Sequence, residues 1–254
     1  MRRVEVPAHI DALQVEGERL AAAAARAGPG TAVPTCPGWT IRDLVHHVGG
    51  VHRWAAILVG EARREAVEDD DLERLSGGWP DDERLLEWFR AGHAALVRAL
   101  REAPPDLRCF TFLPAPSPLA MWARRQAHET AVHRLDAEAA LGPVTPLEPE
   151  LAADGIDELL TCFVTRPNTG LRLDRARAIG VEAVDQAAAW VVRIGPPGIR
   201  TLRAVPSGDE DLRLTGTAGA LHLLLWNRGG LDDITWSGDP ELLALWGQRV
   251  RIRW

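Results

Sequence analysis

The segment from Leu119 to Leu141 places polar side chains where a helix should bury apolar ones. A helix advances about 100° per residue, so residues three and four positions apart share one face. Arg124, Arg125, His128 and Leu135 are predicted to lie elsewhere, mostly on the far side. The inward-facing stripe consists of Leu119, Trp122, Ala123, Gln126, Glu129, Thr130, His133, Ala137, Ala140 and Leu141.

Inward positions are unfavourable for Glu129 and His133 unless the two side chains have a partner there. A carboxylate buried without a partner costs several kcal/mol or takes up a proton. The two residues are four apart, so both side chains leave the same helix face and can bind one divalent cation. An isolated Glu/His pair at this spacing can equally be a surface hydrogen bond. The inward position favours a metal site.

A third ligand is available on an earlier predicted helix, which carries His46, His47 and His52. The apolar residues of that helix set its inward direction and leave His46 outward, His52 inside and His47 on the flank. Periodicity therefore excludes only His46. We expect His52 to be either a core histidine bonded to a backbone carbonyl or a partner that orients a metal ligand. On the later helix, His128 is predicted to be solvated or at a helix contact.

The first half of the chain is predicted to be helical. Helical spacing of apolar residues covers 8–27, about 81–102 and 119–141, and another helix starts at a Thr40/Asp43 capping box and runs to about Glu65. Four long helices with polar side chains facing inward predict a four-helix bundle, and bundles form metal sites from facing helices.

The second half has a mixed pattern. A helix is predicted over 151–164 and another from a Thr217 cap through Leu225, and Pro240 starts the last one. Strands are predicted over 179–184, 189–194, 199–205, 211–215 and 234–236. We therefore expect a helical bundle over 1–145 and a small α+β domain over 146–254.

Composition excludes several classes of function. The formal net charge is −7 and no basic stripe stands clear of acidic residues, which argues against a nucleic-acid partner. No apolar run reaches the roughly 20 residues that span a bilayer, so no membrane association is expected. The first residues carry charges where a signal peptide needs an apolar segment, which predicts a cytoplasmic protein.

The cysteines Cys36, Cys109 and Cys162 show no CxxC spacing. They indicate neither a disulfide framework nor a thiolate zinc site, and we expect three buried, unpaired thiols. A reactive sulfur would then have to come from outside the chain.

Two helical segments of this sequence resemble a known family. Residues 36–54 read CPGWTIRDLVHHVGGVHRW and residues 128–138 read HETAVHRLDAE. Both are similar to the mycothiol-dependent maleylpyruvate isomerase family, whose N-terminal part is a DinB-like four-helix bundle. The resemblance continues in LRLTGTAGALHLLLWNR at 212–228 and GDPELL at 238–243, which look like the family's small C-terminal domain, related in shape to sterol-carrier folds.

The resemblance implies roles for individual residues. In that family zinc is held by a histidine of the first segment and by the Glu/His pair of the second, which correspond to His47, Glu129 and His133. Arg228 would lie near the thiol cofactor or an acidic substrate group, in the crevice between the domains. Its ordinary alternative is a cation that follows the last turn of a helix. The neighbouring Asn227 and Gly229–Gly230 depart from the family pattern, which puts substrate contacts there in doubt.

Gln126 lies on the same inward stripe as the Glu/His pair. An inward Gln126 could hydrogen-bond a ligand carboxylate or a bound thiol, or it could simply pack in the bundle.

These expectations combine into one hypothesis and two alternatives. Three protein ligands leave zinc, or another divalent metal, an open position, as in catalytic sites. A thiol bound there loses its proton and becomes a nucleophile. The hypothesis is therefore an enzyme that activates mycothiol to attack a small-molecule electrophile, either in S-transfer or in cis/trans isomerisation. The alternatives are a non-catalytic module that binds a metal and a ligand, and a metal-dependent hydrolase. Only the first depends on a thiol for turnover.

Overall fold

Long helices form the first half of the chain in a computed structural model, which describes residues 4–67, 73, 78–167 and 169–252. Their compact unit comprises Val4–Thr145, and a second unit contains Pro146–Trp254. The four long helices of the first unit are α1 (Val6–Ala27), α2 (Ile41–Gly60), α3 (Leu85–Glu102) and α4 (Pro118–Ala139).

The helix ends follow local sequence signals. Thr40 and Asp43 form the predicted capping box at the start of α2, in which the Asp43 side chain accepts a hydrogen bond from the Thr40 backbone at 2.7 Å. Ser117 caps α4 by accepting a hydrogen bond from the Ala120 backbone at 3.2 Å. Helix α2 ends at Gly60 and not near Glu65, because Ala62 takes a left-handed conformation with φ 49°.

The four helices form the predicted bundle. Helix α1 packs mainly against α3 and α4, and α2 packs against the same two helices from the other side. Apolar side chains from all four helices and the α1–α2 loop meet in a core cluster made of Leu20, Ala21, Ala23, Ala24, Val33, Ile41, Leu44, Val45, Val48, Leu85, Phe89 and Ala137. This core holds α2 beside α4, which sets the positions of the candidate metal ligands.

Helix α4 is buried on almost every side, so the prediction of an outward far side for Arg125, His128 and Leu135 was wrong. Charged side chains tolerate this burial because they are paired. Arg134, also fully buried, donates to Glu16 at 2.5 Å, and Arg125 donates to Glu129 at 2.7 Å. Of the four residues expected away from the stripe, only Arg124 keeps partial exposure.

The second unit is the predicted α+β domain. Helix α5 (Pro149–Glu158) continues into a π-helical turn at Leu159–Phe163 and is followed by a five-stranded sheet with the order β3-β2-β1-β4-β5. The remaining helices are α6 (Ala218–Leu225) and α7 (Pro240–Arg249). The strands are β1 (Arg177–Ala183), β2 (Ala188–Ile194), β3 (Arg200–Leu202), β4 (Leu212–Gly216) and β5 (Ile234–Gly238).

Strand β1 lies at the centre of this sheet. Val181 faces Trp190 of the antiparallel β2 and Leu214 of the parallel β4, and all three side chains are buried. The predicted strand over 199–205 is reduced to the short edge strand β3. Among the described helices of both units, none is long and apolar enough to cross a membrane.

Candidate metal centre

Two helices bring His47, Glu129 and His133 together. His47 projects from α2, and Glu129 and His133 leave one face of α4 a turn apart. Glu129 Oε1 lies 3.2 Å from His47 Nε2 and 3.3 Å from His133 Nε2. One ligand atom of each residue lies within 4.8 Å of the other two. The three residues that the sequence proposed as metal ligands therefore form one cluster.

The donor set of this cluster fits a divalent cation. Zinc binds imidazole nitrogen and carboxylate oxygen at about 2.0–2.1 Å, which places neighbouring ligands of a tetrahedral ion about 3.3 Å apart. The two contacts of Glu129 Oε1 match that separation. Two histidines and one carboxylate would also leave one coordination position open, as catalytic sites do.

Glu129 is held as an anion. Burial alone would raise the pKa of its carboxyl group, but the hydrogen bond and positive charge of His133, the hydrogen bond of His47 and the charge of Arg125 lower this pKa well below its usual range. Arg125, fully buried one turn earlier on α4, donates from Nη2 to Glu129 Oε2 at 2.7 Å. The second carboxylate oxygen is thereby fixed, and Oε1 remains directed at the two histidines.

His133 lies between two carboxylates. Burial lowers the pKa of its imidazole, but the hydrogen bond to Asp136, the contact with Cys36 and the interactions with Glu129 raise this pKa well above the ordinary histidine value. Asp136 Oδ2 is 2.8 Å from His133 Nδ1, on the side of the ring away from Glu129. Without a metal, the ring is therefore favoured as a cation that donates to both neighbours.

Sequence reasoning missed the residues that surround His133. Asp136 is completely buried and also accepts from Thr35 Oγ1 at 2.5 Å and from Cys36 Sγ at 3.4 Å. The three-residue spacing between His133 and Asp136 on one helix face could have indicated this pair. The contacts of Thr35 and Cys36 join segments about a hundred residues apart, and no local pattern predicts them.

Trp39 forms an aromatic wall beside the cluster. Its ring centroid is 5.2 Å from that of His47 at an interplanar angle of 62°, and 6.3 Å from that of His133 at 17°. Trp39 directly precedes the capping residue Thr40 of α2, and its ring lies against both candidate histidine ligands.

The other histidines of α2 lie outside the cluster. His46 is half-buried and not outward as predicted, because its Nε2 lies 3.1 Å from the Pro80 carbonyl and its ring contacts Trp79 and Trp88. His52 is fully buried as expected, but its partner is the Thr130 hydroxyl at 2.8 Å and not a backbone carbonyl.

His128 on α4 is fully buried, so the solvated alternative was wrong and the helix-contact alternative is confirmed. Its ring contacts that of His9 on α1 at 5.8 Å between centroids.

Gln126 faces inward one turn before Glu129 and is 1% exposed. Its Oε1 has no hydrogen-bond partner among the residues that the structure describes. A buried carbonyl oxygen left in this state costs about 1–3 kcal/mol, so the position favours a donor supplied by a bound molecule.

Arg228 belongs to the second unit, where it follows α6. Its backbone N–H donates to the Leu223 carbonyl at 2.7 Å and its Nη1 donates to the Trp226 carbonyl at 2.8 Å. The adjacent Asn227 has a left-handed φ of 60°, which turns the chain out of the helix. These bonds place the guanidinium at the carboxyl end of α6, where the helix dipole favours a cation.

The three cysteines form no disulfide in the described part of the chain. The prediction of burial holds for Cys162 and was wrong for Cys36 and Cys109, which are half-buried. Cys36 lies close to His133 and Asp136, with one ligand atom of each within 4.8 Å of the others. A protein thiol therefore stands beside the candidate metal centre.

Comparisons with known proteins identify the same family in both units. The sequence pattern described as "Mycothiol maleylpyruvate isomerase N-terminal domain" matches residues 10–138, and the pattern described as "MDMPI C-terminal domain" matches residues 150–245. No curated protein sequence matches the chain.

Solved structures resemble the chain over nearly its whole length. A crystal structure of the mycothiol-dependent maleylpyruvate isomerase shares 15% sequence identity, with a TM-score of 0.63 over 92% of this chain and 93% of that chain. A crystal structure of a histidine-to-alanine variant of that enzyme has the same identity and coverage and a TM-score of 0.65. At this identity, the likeness shows that the fold is shared.

Proposed function

The chain belongs to the mycothiol maleylpyruvate isomerase family of enzymes, and from this membership we propose that it binds zinc and uses the thiol mycothiol to attack a small electrophile. The observation that carries this proposal is the cluster of His47, Glu129 and His133, whose contacts of 3.2 and 3.3 Å have the spacing of metal ligands. The cluster lies within the region that matches the family's N-terminal domain.

When bound by these three residues, zinc or another divalent metal would act as a Lewis acid and favour the thiolate form of the incoming thiol. The chain contributes the surrounding charges and shape. Glu129 supplies a negative charge that Arg125 keeps in place from the second oxygen. Trp39 packs beside both imidazoles and forms one wall of the site. The chain itself then needs no nucleophile, because the thiol arrives as a cosubstrate.

Two outcomes fit such a site. In the first, the thiol loses its proton and its sulfur forms a bond to an electrophilic carbon. That carbon either expels a leaving group, which departs with the bonding electron pair, or belongs to an alkene whose other carbon takes up a proton. The conjugate is then released, which is S-transfer. In the second, sulfur adds to an activated alkene, the former double bond rotates, and the carbon–sulfur bond breaks again to return the thiol. Family membership favours the second outcome, an isomerisation of the maleylpyruvate type.

We propose that Gln126 accepts a hydrogen bond from the bound thiol or substrate, because its buried amide oxygen is available for one. Replacement by methionine keeps the side-chain length and removes this acceptor. We expect Gln126→Met to lower kcat/KM by about tenfold, the value of roughly one lost hydrogen bond, while metal content stays unchanged. Unchanged kinetics would limit Gln126 to packing.

We assign Arg228 to the thiol cofactor or an acidic group of the substrate, a role supported by its place in the segment that resembles the family's C-terminal domain. A contact between arginine and a charged group contributes roughly 1.5–3 kcal/mol, which corresponds to about a tenfold to hundredfold loss of kcat/KM for the thiol in Arg228→Ala. Zinc content and fold should be unaffected. Thiol kinetics identical to the wild type would remove Arg228 from the site.

The test of the proposed function is turnover of an electrophile panel by the zinc-loaded protein, with and without mycothiol. We expect turnover only when both the metal and the thiol are present. The alternative of a non-catalytic metal- and ligand-binding module predicts no turnover under any condition. The alternative of a hydrolase predicts metal-dependent product without thiol. His46→Ala is a suitable control variant, since His46 contacts Pro80 and lies outside the cluster.

We also propose that the protein works in the cytoplasm. A cosubstrate thiol must stay reduced to act as a nucleophile, and the three cysteines of the described chain form no disulfide, both of which fit a reducing compartment.

A further inference from the structure

The two nitrogens of the His133 ring have different partners. Nε2 faces Glu129 Oε1 at 3.3 Å, on the side of the candidate metal centre, and Nδ1 is 2.8 Å from Asp136 Oδ2. An imidazole whose Nε2 binds a metal carries its remaining proton on Nδ1. The Asp136 carboxylate is placed to accept that proton's hydrogen bond.

Asp136 is itself held in place. It is completely buried, its Oδ1 accepts from Thr35 Oγ1 at 2.5 Å, and its Oδ2 also accepts from Cys36 Sγ at 3.4 Å. Both donors come from the loop before α2, which is closed by backbone hydrogen bonds from Cys36 to Val33 at 3.1 Å and from Trp39 to Cys36 at 2.9 Å. A buried carboxylate with both oxygens engaged has little freedom to turn away from His133.

We propose that Asp136, supported by Thr35 and Cys36, is a positioning residue that fixes the tautomer and ring orientation of His133 for metal binding. The proposal rests on the proposed function in one respect, that His133 is a metal ligand. Partners of this kind make a histidine ligand more basic, and their loss weakens metal binding by about 10- to 100-fold.

A second metal ion held by Cys36, His133 and Asp136 is the competing interpretation, since their ligand atoms also lie within 4.8 Å of one another. The distances favour hydrogen bonds. The contact of 2.8 Å between Asp136 and His133 is shorter than the separation of about 3.3 Å between ligands of a tetrahedral ion, and it is the normal length of a charge-assisted hydrogen bond.

The test is zinc affinity, measured by competition with a chelator, and zinc stoichiometry of the purified protein. We expect Asp136→Asn to bind about one zinc per chain with an affinity lower by about 10- to 100-fold. Glu138→Gln is the matched control, because it removes the same charge from the same helix at a residue that bonds Arg134, and it should bind zinc like the wild type. An affinity of Asp136→Asn equal to that of the control would overturn the proposal.

Further variants keep the test decisive. Thr35→Val removes one donor to Asp136 with little change in shape and should weaken zinc binding less than Asp136→Asn does; it replaces that variant if Asp136→Asn does not fold. Cys36→Ser keeps a donor and should bind one zinc normally. Two zinc ions in the wild type and one in Cys36→Ser would establish the second metal site and overturn the positioning role.

A spectroscopic readout separates positioning from general stability. Histidine-labelled ¹⁵N spectra of the zinc-loaded wild type should show a proton on Nδ1 of His133 in a strong hydrogen bond, and Asp136→Asn should weaken that signal's downfield shift. A lower melting temperature with unchanged zinc affinity would mean that Asp136 only stabilises the fold. If the wild type binds no zinc, the proposed function fails first. If it binds one and Asp136→Asn binds equally well, only the positioning role fails.

Discussion

Zinc binding should release a proton from His133. The metal-free ring lies between Asp136 and Glu129, and these carboxylates raise its pKa well above the ordinary value after the opposing effect of burial. Glu129 releases none, since its pKa lies well below the usual range and the group is already ionised near neutral pH. A metal on His133 Nε2 must therefore displace the proton on that nitrogen.

The number of protons that zinc displaces determines how strongly the zinc affinity depends on pH. At pH 8 a histidine with an ordinary pKa of about 6.5 is neutral, whereas water on a protein-bound zinc ion can also lose a proton. The protons that the wild type releases in excess of Asp136→Asn therefore report the raised pKa of His133. One proton per metal makes the apparent zinc affinity fall about tenfold for each pH unit that the solution is acidified, or about 1.4 kcal/mol. The effect has this sign because the proton and the metal compete for the same nitrogen.

Isothermal titration calorimetry measures this proton directly. Zinc is titrated at pH 8 in two buffers of different ionisation enthalpy, and the difference in heat gives the number of protons released. We expect the wild type and His46→Ala to release more protons than Asp136→Asn, which lacks the carboxylate that raises the His133 pKa. Heats that do not depend on the buffer, with an affinity that is equal at pH 7 and pH 8, would refute the reasoning.

Two further predictions concern stability. Burial lowers the pKa of His52 well below its ordinary value, so below about pH 6.5 the unfolded chain takes up a proton that the folded chain does not. The free energy of unfolding therefore falls as the pH drops through that range, by at most about 1.4 kcal/mol per pH unit. Chemical denaturation at pH 5.5 and 7.5 should show a smaller pH effect in His52→Gln than in the wild type, and an equal effect would exclude His52 as the source. Gly17→Ala on α1 would place its Cβ 2.2 Å from the His93 ring and should lower the free energy of unfolding by about 1–3 kcal/mol. Gly60→Ala is the control: the nearest neighbour of its Cβ is the Ala99 Cβ at 3.9 Å, and the change should be neutral or slightly stabilising. Similar melting temperatures for both variants would contradict the packing at Gly17.

Local signals in the sequence were sufficient for most of the fold. The capping box at Thr40 depends on residues a few positions apart, and the structure has it where the sequence indicates. The end of α2 at Gly60 was not predictable, because the left-handed turn at Ala62 has no glycine or asparagine to announce it.

The burial of α4 shows the limit of periodicity. Arginine is counted as a surface residue in such patterns, but Arg125 and Arg134 are fully buried because Glu129 and Glu16 pair with them. A pattern that treats each side chain separately cannot detect pairing between helices.

The candidate site was predictable only where its residues lie close together in the sequence. Glu129 and His133 stand out because they are four apart on one helix. The choice of His47 over His52 came from the family resemblance, since helix phase allowed both, and the structure places His47 within 3.2 Å of Glu129 and His52 on Thr130. Thr35 and Cys36 reach Asp136 from a distant loop, a contact that only the folded chain reveals.

The metal content of variants at two adjacent histidines tests the proposed metal centre most directly. His46 and His47 are adjacent on α2, but only His47 contacts Glu129, while His46 contacts the Pro80 carbonyl. Elemental analysis after dialysis against a weak chelator should find about one divalent metal per chain in the wild type and in His46→Ala, and little or none in His47→Ala. Equal metal content in all three proteins would contradict the assignment of His47, Glu129 and His133 as the metal centre.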